Sequence, residues 1–325
     1  MNSKKVDFFI VGAARSGTTT LWQWLKDHPG IFLPETKEPH YFCYKDKALP
    51  YFGNELDPHY RELLTVSEDE YEHLYDNCKP NQLSGDASPG YLYFSGTASN
   101  IKQHNPAAKI ICILRNPCDR AFSQFIFHVQ SGFEDVCDFQ SALENEQVRI
   151  AKGWWWGHHY LEAGNYVSQW QEYCDAFQDS QRLLLLYDDL VASPKATYEK
   201  ICAFLAVKPS ATANLDLHAN GTSELVSVPL NLTIHRLLTH GITTNKHATN
   251  WLPKRLAQML KQFIISINKQ PKPEMSSTSR RFMADYYRPE LERLAKLTGF
   301  DLSKWMPNLN NLSAPAVQQA SRKFQ

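Results

Sequence analysis

Three short apolar runs organise the chain, each followed by a turn-like break and a segment of helical length. The first, Asp7 to Ala13, carries Phe8-Phe9-Ile10-Val11 without a polar interruption and predicts a short buried strand. A glycine-containing turn follows, and Thr18 to His28 sets Leu21, Trp22 and Leu25 at helical spacing before Pro29-Gly30 stops the pattern. The unit recurs at Lys109 to Leu114, which passes through Arg115-Asn116-Pro117 into a helix-like segment from Asp119 to Ser131. It recurs again at Arg182 to Tyr187, after which Ser193 as N-cap and Pro194 at N1 predict a helix over Ala196 to Leu205. Strands with no polar alternation are buried on both faces, and strands alternating with helices assemble into parallel sheets. The expected fold is α/β, a three-layer arrangement with a central parallel β-sheet flanked by helices.

Between the first two units, Tyr41 to Lys79 is aromatic and acidic without clear periodicity. It reads as an inserted region, about residues 41–80, covering the mouth of the sheet. After Leu205 a polar stretch, Lys208 to Ser227, leads to helical patterns near Leu256 to Ile267 and over Pro289 to Leu297, the latter closed by Gly299 at C′. One domain over residues 1–306 is expected, with 307–325 as a flexible tail.

Composition narrows the partners. The 34 Lys and Arg balance the 34 Asp and Glu, so the chain lacks the basic excess of a nucleic-acid binder, and 43% hydrophobic residues exclude a disordered chain. Seven cysteines form an odd set without C-x-x-C spacing, and Cys112 and Cys202 sit in apolar runs, which fits a reducing, cytoplasmic setting. No apolar stretch approaches the roughly 18 to 20 residues of a membrane-spanning helix, so no integral membrane segment is expected. Lys4-Lys5 and the run after it could imitate a signal peptide, but Asp7 interrupts the apolar stretch and Arg15 ends it. The N-x-[ST] sequons at Asn220, Asn231 and Asn311 would matter only in an exported chain.

The candidate chemistry begins at Gly12-Ala13-Ala14-Arg15-Ser16-Gly17-Thr18-Thr19. The G-x-x-x-x-G spacing between a strand and a helix makes a P-loop-type anion cradle, in which backbone N–H groups and the helix N-terminus converge. Nucleoside triphosphatases follow the second glycine with Lys, and here Thr18 takes its place. No acidic residue is expected to follow the second or third apolar strand in the strand-end position that a Walker B metal site needs. A triphosphate is disfavoured and a metal-free donor is implied. The cation in the loop is Arg15, whose planar fork suits a smaller phosphate group.

With these residues the chain resembles the sulfotransferases that use 3′-phosphoadenosine 5′-phosphosulfate (PAPS), in particular the carbohydrate and heparan-sulfate type and their bacterial relatives. The resemblance implies a P-loop-containing fold in which Ser16, Gly17, Thr18, Thr19 and Thr20 hold the 5′-phosphosulfate. Arg115-Asn116-Pro117-Cys118-Asp119-Arg120-Ala121-Phe122-Ser123 is similar to the family's 3′-phosphate motif, with Arg115 and Ser123 facing one phosphate. Glu35 to Phe42 resembles the heparan-type E-x-H-[FY]-F segment, which makes Glu38 the candidate general base and His40 the group that orients the sulfuryl or substitutes as base. Arg15 then clamps the leaving phosphate. Tyr187 falls where some relatives contact adenine.

Two departures qualify the resemblance. Ala87 replaces a family lysine in Asp86-Ala87-Ser88-Pro89-Gly90-Tyr91, removing one cation, and Asn220-Gly221-Thr222 lacks the basic residues of a 3′-phosphate loop. The Trp154-Trp155-Trp156-Gly157-His158-His159 cluster offers faces for an acceptor or for packing. The implied reaction is in-line transfer of a sulfuryl group from PAPS to a hydroxyl on a small molecule, glycan or lipid, leaving 3′-phosphoadenosine 5′-phosphate. The rival reading is a P-loop nucleotide or nucleoside kinase, or a non-catalytic phosphonucleotide-binding protein.

Overall fold

A computed structural model of the chain describes residues 5–45, 64–216, 225–226, 269–270 and 273–305. In chain order the main elements are β1 (Phe8–Gly12), α1 (Thr18–Lys26), β2 (Ile31–Phe32), α2 (Tyr41–Tyr44), α3 (Glu68–His73), β3 (Leu83–Ala87), α4 (Gly90–Tyr93) and α5 (Thr97–His104). There follow β4 (Lys109–Leu114), α6 (Pro117–Ser131), α7 (Phe139–Glu144), α8 (Glu146–Ala151), α9 (Tyr166–Ala176), β5 (Arg182–Leu186), α10 (Tyr187–Ala192), α11 (Pro194–Leu205) and α12 (Ser277–Thr298). Residues 225–226 and 269–270 form a separate antiparallel ladder.

The five strands β1 to β5 form one parallel sheet in the order β2-β3-β1-β4-β5. Ile10 lies opposite Ala87 in β3 and Ile111 in β4, so β1 is central. The uninterrupted apolar runs are explained by two cores, one on each side of the sheet. Phe9 and Val11 of β1 join Ile110, Cys112 and Leu114 of β4 on one side, while Phe8 and Ile10 join Ile111 and Ile113 on the other. Each such fully buried large side chain contributes about 1.5–3 kcal/mol. Because β3 and β4 flank β1 on opposite sides, the chain crosses over at the carboxyl end of β1, where open α/β sheets leave a crevice.

Several elements differ from expectation. The polar strand β3, LSGDA, carries no apolar run and was not predicted. Helix α12 starts at Ser277, twelve residues before the expected Pro289, and runs through that proline to the left-handed Gly299, φ 72°. Its amphipathic face, including Met283, Tyr287, Leu291 and Leu294, is buried, and that packing outweighs the lost backbone bond at Pro289. Ser193 does precede Pro194 at the start of α11, but its side chain makes no capping bond. Within the expected insertion, Tyr41, Phe42, Tyr71 and Tyr75 form an edge-and-stack aromatic cluster, with Tyr41 and Tyr71 stacked at 4.5 Å. The expected helix near 256–267, the 220–222 stretch and the tail after 307 lie outside the described residues, as does 46–63 of the insertion.

Candidate active site

The loop after β1 is shaped by two glycines. A Cβ on Gly12 would stand 2.6 Å from Leu92 Cβ and 3.1 Å from the Pro89 carbonyl oxygen, so α4 presses directly on the strand end. Gly17 caps α1 in the left-handed region at φ 95°, ψ 8°. The first bond of α1 is Leu21 N–H to Gly17 O, at 3.1 Å, which leaves the N–H groups of Thr18, Thr19 and Thr20 without partners inside the helix. No side chain caps this terminus and no acidic residue stands in its first turn, so it is open to an anion. Gly17, Thr18, Thr19 and Thr20 line a cavity of about 490 Å³. The Ser16 side chain is buried off that wall, its hydroxyl 3.5 Å from the Ala14 carbonyl, so any contribution it makes to the cradle is through its backbone.

The second sequence signature reaches the same cavity. Arg115 follows the end of β4, and Asn116 caps α6 by accepting from the Cys118 N–H at 3.0 Å, with Pro117 in the first turn. Eight residues on, Ser123 faces the loop, and Arg15 Nε donates to its hydroxyl at 3.3 Å. Arg115 Nη1 donates to the Arg15 carbonyl at 3.0 Å. Both guanidinium groups lie over rings, Arg15 at 4.8 Å from the Phe127 centroid and Arg115 at 4.6 Å from that of Tyr187. Arg15, Arg115, Ser123, Phe127 and Tyr187 all line the cavity.

Glu38 forms the opposite wall. It and His40 have left-handed backbones at φ 64° and 54°, as does Arg15 at 63°. Three strained non-glycine residues at one cleft mark a place where surrounding structure overrides local preference. Burial pushes the Glu38 carboxyl up, but the Lys37 ammonium paired with it and the His40 ring, with Nε2 3.6 Å from Oε2, prevail and bring it down to about 2. His40 stands behind Glu38 rather than on the cavity wall. Its N–H donates to Ser88 Oγ at 3.2 Å, while its Nδ1 is buried without a hydrogen bond. Ser88 in turn donates to the buried Asp86, which also accepts from Tyr71 and Tyr91, so one carboxylate orients the two hydroxyls, of Ser88 and Tyr91, that accept the His40 and Phe42 N–H groups. Ala87, where the resemblance expected lysine, is buried in the sheet opposite Ile10.

Sequence reasoning missed Lys37, Gln124 and Phe127. Gln124 and Phe127 stand one and four positions after Ser123, and continuing the helical face from Ser123 would have reached Phe127. The tryptophan cluster divides: Trp155 and Trp156 line the cavity, whereas Trp154 packs on the Arg149 guanidinium at 5.0 Å. Beneath Gln124, ligand atoms of the buried His128, Glu134 and His158 lie within 4.8 Å of one another, a spacing a metal ion could use. Glu134 is already paired with Arg149, so the arrangement at hand is a hydrogen-bond network.

Comparison with known proteins bears on family and fold. The sequence model described as "Sulfotransferase family" matches residues 7–210. A sulfotransferase from Alicyclobacillus acidocaldarius, of known structure, superposes with TM-score 0.72 at 27% identity, covering 94% of this chain and 100% of that one. The membrane-associated sulfotransferase kil1 of Dictyostelium discoideum is 29% identical over 124 residues, 38% of this chain and 23% of that protein. The human bifunctional heparan sulfate N-deacetylase/N-sulfotransferase 3 is 24% identical over 323 residues, 92% of this chain and 31% of that protein. The chain thus spans less than half the length of these curated relatives.

Proposed function

We propose that this chain, which belongs to the sulfotransferase family, moves a sulfuryl group from PAPS to an acceptor hydroxyl. The observation that carries the reading is the convergence of two arginines, Ser123 and the uncapped terminus of α1 on one cavity that Glu38 also lines. Its volume, about 490 Å³, is in the range of nucleotide-sized sites. Arg115 and Ser123 are assigned to a 3′-phosphate and the Ser16 to Thr20 backbone to the 5′-phosphosulfate, with Tyr187 beside Arg115 on the nucleotide side.

When bound, PAPS supplies an activated sulfuryl group, so that the acceptor oxygen forms a bond to sulfur as the sulfur–phosphate oxygen bond breaks. The chain's own residues have three jobs. Glu38 takes the proton of the acceptor hydroxyl, and its low proton affinity in the Lys37 pair means that the pair must loosen as the acceptor enters. Arg15 and the α1 terminus stabilise the negative charge that collects on the leaving phosphate. His40, with Asp86 and Ser88 behind it, positions Glu38.

Phe127, Trp155 and Trp156 form an aromatic wall that supports an uncharged acceptor, whether small molecule, glycan or lipid. The reading includes no divalent metal and a cytoplasmic setting, the latter supported by seven free cysteines. Among the described residues no helix is long and apolar enough to cross a membrane.

The test is calorimetric titration with 3′-phosphoadenosine 5′-phosphate in EDTA, beside ATP with Mg²⁺, in wild type and Arg115→Ala. Tight metal-free binding of the bisphosphate that weakens about 100-fold in the variant is expected, from the loss of charged hydrogen bonds. Preference for Mg-ATP, or indifference to Arg115, sinks the reading in favour of a kinase.

A further inference from the structure

A chain of buried polar side chains runs from Gln124 on the cavity wall into the protein. Gln124 Nε2 lies 2.6 Å from His128 Nε2, and His128 Nδ1 lies 3.1 Å from the Tyr160 hydroxyl. The Tyr160 hydroxyl is bonded in turn to Glu134 Oε2. Glu134 also receives the N–H groups of Asp135 and Val136, at 3.0 and 3.2 Å, and both terminal nitrogens of Arg149. The Asp135 carboxylate stands beside it and shares Arg149, and the bidentate Arg149 pair holds Glu134 as a carboxylate, which toward Tyr160 is an acceptor.

This fixes the direction of every bond in the chain. Tyr160 spends its one proton on Glu134 and must accept from His128, which makes His128 the Nδ1–H tautomer. His128 Nε2 is then an acceptor, and the Gln124 amide must turn its NH2 toward it. Burial, with His158 and three arginines nearby, holds His128 well below its ordinary pKa, consistent with a neutral ring. A cation at the His128, Glu134 and His158 cluster would place a second positive charge against Arg149, and would take a ring nitrogen that the chain already uses.

We infer that Gln124 is a specificity-determining residue whose carbonyl oxygen is fixed as a hydrogen-bond acceptor for the cavity, with His128, Tyr160 and Glu134 as its positioning residues. It selects occupants that bring a hydroxyl or N–H donor to that point while their flat face packs on Phe127, Trp155 and Trp156, which line the same cavity. This deepens the sulfotransferase reading by adding a second polar contact for the acceptor, beyond the hydroxyl that is modified.

Two measurements on the intact protein test it without nucleotide, so that failure of PAPS binding leaves them readable, and one nucleotide titration separates the acceptor side from the donor side. Nitrogen-15 spectra of labelled histidine, assigned with His128→Gln, are expected to show His128 neutral and protonated on Nδ1 at pH 7. The Nε2–H tautomer, an imidazolium, or stoichiometric Zn²⁺ retained by the cluster after dialysis overturns the inference. Phenol and anisole are then titrated while the Gln124 side-chain amide signals are followed. Phenol is expected to bind about tenfold more tightly than anisole, the worth of one hydrogen bond. Gln124→Met, read by tryptophan fluorescence, is expected to bring the two within about twofold. Equal binding in wild type, no binding of phenol, or an undiminished preference in Gln124→Met overturns it. If Gln124→Met weakens binding of 3′-phosphoadenosine 5′-phosphate more than about fivefold, Gln124 belongs to the donor site and the inference also fails.

Discussion

Arg15 Nε and Ser123 Oγ, 108 residues apart in the chain, meet at 3.3 Å. The contact joins the loop after β1 to the second turn of α6, so two motifs that are separate in sequence line one cavity. The Arg115 bond to the Arg15 carbonyl, at 3.0 Å, ties the end of β4 to the same loop. The arginines are held by protein oxygens and aromatic faces, which limits the ordering that the proposed phosphate binding would require.

Glu38→Gln keeps the shape of the wall and removes the proposed base. Turnover is expected to fall by about 10² to 10⁴, while affinity for 3′-phosphoadenosine 5′-phosphate stays within about twofold. Near-normal turnover in a steady-state assay would remove Glu38 from proton transfer.

Lys37→Gln tests why the Glu38 carboxyl lies at about 2. Taking away the paired ammonium disfavours the charged carboxylate, so the pKa must rise, and the acid limb of the kcat/KM profile moves to higher pH. A profile that superposes on wild type between pH 4 and 7 would show that Lys37 does not control this carboxylate.

Gly12→Ala places a methyl group against Leu92 and the Pro89 carbonyl, neither of which is the end of a flexible chain. The expected cost is about 1–3 kcal/mol, read as a lower urea midpoint, with nucleotide affinity falling as the loop shifts. Unchanged stability would mean that α4 can move away freely.

Glu146 is fully buried, and burial raises its carboxyl to about 7 although the Leu161 and Glu162 N–H groups donate to it at 2.6 and 2.8 Å. The folded state therefore binds a proton between pH 4.5 and 7 that the unfolded state has released, and stability falls as pH rises through that window. Glu146→Gln carries no such proton and should flatten the decline, seen as a smaller difference in urea midpoint between pH 5 and pH 8. An unchanged pH dependence would assign the decline to other groups.

The hydrophobic pattern alone determined β1, β4 and β5, because each carries an uninterrupted apolar run whose two faces pack on the two cores. The glycine turn between β1 and the uncapped start of α1 was equally legible, since its backbone geometry is encoded locally by glycine spacing. Strand β3 could not be read this way. Gly85 is there because the Phe8 ring occupies the place of a side chain, with Cζ 2.2 Å from where a Cβ would stand; Ser84 is satisfied by Asp7 from a distant segment, and Asp86 by the hydroxyls of Tyr71, Ser88 and Tyr91. Only the tertiary structure decided that Arg15 meets Ser123, that Ser84 meets Asp7, and that Glu134 meets Arg149 and Tyr160. Each depends on which charges and donors meet across the fold, and the energy of such a meeting is set by distance and burial rather than by position along the chain.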